Sequence, residues 1–348
     1  MKPNFFSLLL LTAFFNTLLL SSCGSVSSKN FSIQFMDAPK VIQAGSSISW
    51  ELHNPSQYAV DNLNFSLNDQ NTTENKITFN ENQLGHHLLK ATFEVNGKPI
   101  EVSKNITVFA SKKPVLYGYK IINSFPHDIN AYTQGLEFYK GELYESTGQY
   151  GASSLRKVNF TTGEIIQKLP LNNSYFGEGI TILNDQIFQL TWKENIGFVY
   201  DPSTFELLKS FSYIKSLEGW GLCNDGEQLY KSDGSEHIWI LDADNQSELS
   251  KITAVTNNKV IKNINELEWV DGKIYANTYQ FNKEVGIIID PISGAVEGVV
   301  DFSGLKQKVK KHPKLDVLNG IAFHPTRKTF FVTGKNWDKL FEVAIFKK

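Results

Sequence analysis

A chain of 348 residues with 34 Lys+Arg against 36 Asp+Glu carries a formal net charge of −2, and 41% of it is hydrophobic and 20% charged. That composition is globular rather than disordered or fibrous, and at about 100–200 residues per domain it leaves room for two domains. A near-neutral balance without a basic block excludes the phosphate-neutralising surface that nucleic-acid binding requires. Two cysteines, Cys23 and Cys223, cannot build a disulfide framework or a Cys-rich zinc site.

Lys2 gives a positive start, and Phe5 to Leu20 form an apolar stretch interrupted by Ser7, Thr12, Asn16 and Thr17. The stretch is shorter than the about 20 apolar residues of a membrane span and suits a signal peptide over residues 1–22. It ends in Leu20-Ser21-Ser22-Cys23, which resembles a bacterial lipobox. The resemblance implies that Cys23 is lipidated as the first mature residue. The protein would then be held to the membrane of a bacterial cell envelope, facing the periplasm or the cell surface. Residues 23–30, rich in Ser and Gly, read as a tether. Cys223, left without a partner, reads as a small buried hydrophobe.

Residues 31–111 show period-2 alternation. Ile48, Trp50 and Leu52 alternate with Ser49 and Glu51; Leu63, Phe65 and Leu67 do the same; Leu88–Val95 and Ile106–Phe109 continue the pattern. Short strands between Asn/Gly/Pro turns predict a small immunoglobulin-like β-sandwich with no catalytic features. His86-His87 falls at a strand start and reads as a solvated pair. Lys112-Lys113-Pro114 is the expected boundary.

From Val115 to Lys348 the chain repeats. Openings recur at Thr133-Gln134-Gly135-Leu136, Gly177-Glu178-Gly179-Ile180, Gly219-Trp220-Gly221-Leu222, Asn265-Glu266-Leu267-Glu268 and Asn319-Gly320-Ile321-Ala322, at intervals of roughly 45 residues. Polar turns before β-branched or aromatic runs recur inside the units, as in Lys140-Gly141-Glu142-Leu143-Tyr144 and Asp271-Gly272-Lys273-Ile274-Tyr275. About four strands per unit at this period predict a β-propeller, and five openings predict five blades. The fold class expected is therefore all-β, a five-bladed propeller behind a small sandwich. Only Ser303 to Lys311 offers a hint of helix.

The openings Tyr132-Thr133-Gln134-Gly135-Leu136, Phe176-Gly177-Glu178-Gly179-Ile180, Glu218-Gly219-Trp220-Gly221-Leu222 and Asn265-Glu266-Leu267-Glu268, with Thr333-Gly334-Lys335-Asn336-Trp337, resemble the plant and bacterial (papaya-type) glutaminyl-peptide cyclotransferases over residues 115–348. The resemblance implies an enzyme, an acyltransferase, that converts the N-terminal Gln of peptides or proteins to pyroglutamate and releases ammonia, without a metal ion or other cofactor. A monomer is expected. No HxH, HxxxH or Cys/His cluster with ligand spacing is present in the sequence.

In such a reaction the substrate's α-amine attacks its own side-chain amide carbon, so one carboxylate that reaches both nitrogens can shuttle the proton. Glu178, between two glycines that permit close approach to the substrate and unusual backbone angles, matches the family's acid/base glutamate. Without the sister motifs it would read as a strand cap or an ion-pair partner. Asn265 and Lys335 match donor positions for the developing oxyanion, though Lys335 could instead neutralise a carboxylate. Gln134 could bind the substrate amide or amine. Trp220 offers an indole N–H and a flat wall, and Trp192 falls where a strand approaches the pocket. Tyr279 stands where the family commonly has tryptophan, a departure that bears on substrate preference. Asp233 reads first as a turn residue, and Trp239 as blade packing. His127, His237, His312 and His324 read as ordinary structural histidines without visible partners. Two other readings stand beside the enzyme: a non-catalytic envelope propeller that binds protein or glycan, and a metal-dependent propeller hydrolase using Asn265, Glu178 and Asp233.

Overall fold

The computed structural model describes residues 26–216 and 218–348; Cys23 and the signal segment lie outside the described residues. The described residues form an all-β structure in which the only helical elements are 3-10 turns. Of the helical hint at Ser303 to Lys311, a single turn at Lys306–Lys308 forms.

The N-terminal part builds two sheets. Three strands, Ser32–Phe35, Ser47–His53 and Lys76–Thr78, form one; Gln70–Asn71, Asp61–Leu67, Gly85–Val95 and Lys98–Val108 form the other. Their inward residues, among them Ile33, Ile48, Trp50, Phe65, Leu89, Phe93 and Ile106, share one core. Fully burying side chains of this kind stabilises by about 1.5–3 kcal/mol each. The expected alternation fails at Leu63, which is 44% exposed, because an irregularity between Asp61 and Asn64 breaks the register there. Of the solvated pair expected, His86 is exposed but His87 is half-buried. His86 Nε2 lies 3.3 Å from Glu236 Oε1, and His87 packs on Phe79 and bonds Asn68 and the Gln83 carbonyl.

Beyond residue 114 the strands fall into five four-stranded antiparallel units. The first is Thr133–Tyr139, Glu142–Thr147, Ser154–Val158 and Ile165–Pro170; the second is Gly177–Leu183, Gln186–Thr191, Ile196–Tyr200 and Leu207–Ser212. The third is Leu222–Asn224, Gln228–Ser232, His237–Asp242 and Glu248–Thr253; the fourth is Ile264–Val270, Lys273–Thr278, Val285–Ile289 and Val296–Asp301. In the fifth, Leu318–His324, Thr329–Gly334 and Lys339–Lys347 are completed by a strand from the other end of the array, Val115–Pro126. That strand also pairs in parallel with Val296–Asp301, which fuses the fourth and fifth units into one eight-stranded sheet.

Within a unit, burial falls from first strand to last: Gly177–Leu183 is buried throughout, whereas Leu207–Ser212 is exposed at all but one position. First strands of successive units are neighbours, and the fifth neighbours the first, so they form a closed ring. A separate apolar core seals each junction, such as Cys223, Tyr230 and Ile238 against Ile264, Ile274 and Ile287 between the third and fourth units. Cys223 is thus the buried hydrophobe expected.

Three of the opening glycines, unlike Gly320 with its φ of +113°, have a different cause from the one expected. A Cβ on Gly135 would lie 2.5 Å from Ile180 N, one on Gly179 2.5 Å from the Trp220 carbonyl oxygen, and one on Gly221 2.1 Å from the Asn265 carbonyl oxygen. None has a positive φ. They are small because neighbouring first strands touch, not because a substrate approaches.

Buried carboxylates tie the first strands of different units to one another. Glu266 accepts the N–H of Leu136 (3.2 Å) and of Ile321 (2.9 Å), Glu268 that of Phe323 (2.7 Å), and Glu137 that of Ile182 (3.0 Å). Glu266 and Glu268, two residues apart on one strand, therefore share one kind of environment. Both reach across to the fifth unit, and burial pushes both carboxyls well above their ordinary range. His127 also has a partner after all: its ring nitrogens bond Glu145 (3.0 Å) and the Trp337 carbonyl (2.8 Å).

Candidate active site

In every antiparallel unit the first strand begins where the second ends, so residues at those two positions in all five units gather at one end of the ring. Gln134, Glu178 and Asn265 lie at the starts of first strands, and Trp220 just precedes one. Trp192, Tyr279 and Lys335 directly follow the second strands Gln186–Thr191, Lys273–Thr278 and Thr329–Gly334 or nearly so. All seven line a single cavity of about 220 Å³, together with Tyr132, Gln149 and Phe176.

Glu178 is 4% exposed. Gln134 Nε2 donates to its Oε1 at 2.9 Å, and Gln134 in turn is held by Asn319 Nδ2 at 3.1 Å. Gln134 therefore orients the acid through an amide that is itself fixed. Burial raises the Glu178 carboxyl well above its ordinary range; Lys335 opposes that shift, while Glu218 and Glu194 add to it. Lys335 is 3% exposed, and its ammonium lies over the rings of Tyr132 (4.8 Å) and Tyr279 (4.9 Å). Burial lowers its pKa, against the pull of Glu178 and Asp316. The Tyr132 hydroxyl donates to Asp316 Oδ2 at 3.0 Å, which anchors one of those rings. Asn265 Oδ1 is buried with no partner.

Aromatic faces close the remaining sides. Phe176 packs on Trp192 with ring centres 5.4 Å apart, and Tyr279 meets Trp220 edge-on at 5.9 Å. The arrangement is a desolvated slot with one titratable acid, one cation, one unpaired amide and apolar walls. It can hold a short polar side chain, move a proton at one point and stabilise negative charge nearby.

A family model described as glutamine cyclotransferase matches residues 95–345. The chain belongs to the glutamine cyclotransferase family. A glutaminyl-peptide cyclotransferase of Arabidopsis thaliana is 38% identical over 232 residues, which span 65% of this chain and 71% of that protein. The crystal structure of Myxococcus xanthus glutaminyl cyclase superposes with a TM-score of 0.63 at 33% identity, covering 68% of this chain and 100% of that one. The family match begins earlier than the repeats, at the turn of the hairpin formed by Gly85–Val95 and Lys98–Val108.

One detail differs from the sequence reading, and another agrees with it. The Trp220 indole N–H is not free for a substrate, because it donates to Glu218 Oε2 at 2.7 Å; Trp220 offers its face alone. Asp233 lies outside the cavity, where it accepts from Ser235 and from Trp239 Nε1 at 2.7 Å, which fits a turn residue. Tyr132, Gln149, Phe176, Glu218 and Asp316 were not singled out. A signal existed for two of them: an aromatic stands two residues before both Gln134 and Glu178.

Proposed function

We propose that the protein cyclises N-terminal glutaminyl residues of peptides or proteins to pyroglutamate with release of ammonia, using Glu178 as the proton shuttle. The α-amine nitrogen attacks the side-chain amide carbon, and the new C–N bond closes the five-membered ring. Glu178 takes the proton that the amine loses and returns it to the departing amide nitrogen, whose bond to carbon then breaks. Lys335 and the side-chain amide N–H of Asn265 stabilise the oxyanion as donors. Tyr132, Phe176, Trp192, Trp220 and Tyr279 enclose the glutaminyl stem and hold the amine against the amide. The cavity is smaller than the about 300–1,000 Å³ of drug-sized pockets, as expected where only one side chain must enter.

The observation that carries this reading is the placement of Glu178: buried, pinned through one oxygen by Gln134, and facing a slot that also contains Lys335 and Asn265. Incubation with Gln-initiated peptides should release ammonia and leave the pyroglutamyl peptide. An N-acetylated copy should not react, because its amine is blocked. Unchanged mass of every Gln-initiated peptide would refute the reading. A metal-dependent hydrolase is not favoured. Asp233 faces elsewhere, and the described residues contain no group of three or more His, Cys, Asp or Glu side chains arranged to hold a metal ion.

We also read the five units as the blades of a five-bladed propeller over residues 115–348, and residues 31–111 as an immunoglobulin-like sandwich. The closed ring of first strands and the core at each junction support the first; two sheets facing one core support the second. The lipobox-like run supports attachment to a bacterial envelope through Cys23.

A further inference from the structure

One oxygen does two jobs beside the slot. Glu218 Oε2 accepts the indole N–H of Trp192 at 2.6 Å and that of Trp220 at 2.7 Å. Those two rings belong to different units and form two of the cavity's walls. An indole N–H is a donor with no acceptor capacity, so a single shared carboxylate oxygen sets the angle between the two planes.

The loop that carries Glu218 is itself fixed. Gly219 N donates to the Trp192 carbonyl at 2.9 Å, which joins the loop to the backbone of one wall. Lys231, fully buried, donates to the Glu218 carbonyl at 2.8 Å and to Ser216 Oγ at 2.6 Å. Gly219 has no room for a side chain, since a Cβ there would stand 2.4 Å from the Thr191 carbonyl oxygen. A carboxylate supported this firmly, outside the cavity lining and bonded to both indoles, is placed to shape the slot rather than to react.

We propose that Glu218 is the positioning residue of this site, holding Trp192 and Trp220 in the mutual orientation that admits the glutaminyl side chain. The proposal rests on the function given above for its kinetic consequence and on geometry alone for its structural one.

The test uses the full chain labelled with 15N and follows the indole N–H signals of its 6 tryptophans. Two should lie downfield, displaced by charge-assisted bonds to one carboxylate. In Glu218→Ala those two should move upfield and broaden while the others stay in place. In Glu218→Gln, whose amide oxygen keeps an acceptor at the same reach, they should move upfield yet stay sharp. With a Gln-initiated peptide, KM should rise on the order of 10-fold in Glu218→Ala with a smaller change in kcat, and Glu218→Gln should recover most of that loss. Indole signals that do not respond to Glu218→Ala, or a KM equal to that of the parent, would overturn the proposal. The signals need no substrate. A parent protein that fails to cyclise any peptide would therefore refute the proposed function while the indole result still decides the role of Glu218.

Discussion

Glu178 and Lys335 occupy one closed space, and each changes the other's proton affinity. Burial, Glu218 and Glu194 raise the Glu178 carboxyl, and the Lys335 ammonium is the influence that holds it down. Glu178 must be ionised to accept the amine's proton, so activity should climb with pH through its elevated titration. Replacing Lys335 with Met removes the lowering influence. The acid limb of kcat/KM should therefore move to higher pH, with a loss on the order of 10²-fold from the missing oxyanion partner. A limb that stayed put or moved down would show that the ammonium does not reach the carboxyl. Glu178 was legible because it stands at the opening of a repeated unit, and Lys335, which directly follows a second strand, because its phrase resembles the family's. Glu218 and Asp316 were not. Glu218 has one partner two residues away, Trp220, but the other, Trp192, lies 26 residues away, and Asp316 bonds Tyr132 across 184 residues; no local pattern links such distant positions.

The glycine-bearing first strands show how one local sequence feature can be visible and still be misread. Their spacing revealed the units, but the sequence could not say what each glycine faced. Gly179 faces the Trp220 carbonyl oxygen, to which its own N–H donates at 2.6 Å, and backbone cannot withdraw as a flexible side chain would. Gly179→Ala should destabilise the fold by about 1–3 kcal/mol, the usual cost of overpacking. Thermal unfolding would register this as a Tm lower by several degrees. An unchanged Tm would mean that the ring tolerates spreading between the second and third units. The buried acids Glu137, Glu266 and Glu268 were illegible for a related reason. A charged letter inside a strand gives no hint that it will bond a neighbouring unit's N–H rather than water.

At the scale of the molecule, the array is closed by its own two ends, since Val115–Pro126 lies between Lys339–Lys347 and Val296–Asp301. The sequence gives the repeat but places Val115–Pro126 before the first opening, with nothing to mark it as the last strand of the last unit. The N-terminal sheets rest on the third unit's side of the array through Ala110 N to the Thr256 carbonyl (3.1 Å) and Gln43 Nε2 to the Asn257 carbonyl (2.6 Å). If Cys23 carries the lipid, this part of the chain lies between the anchor and the repeats in sequence. Cys23→Ser should then leave the protein in the soluble fraction of cells that otherwise retain it in the membrane fraction; continued retention would contradict the anchor.

The most direct test of the central claim compares ammonia release from a Gln-initiated peptide by the parent chain and by Glu178→Gln, with circular dichroism and Tm recorded for both. The expected result is one ammonia per pyroglutamyl peptide from the parent and a rate lower by roughly 10²–10⁴-fold in the variant, whose fold is unchanged. Equal rates from the two proteins would contradict the assignment of the proton transfer to Glu178, and no ammonia from either would contradict the function itself.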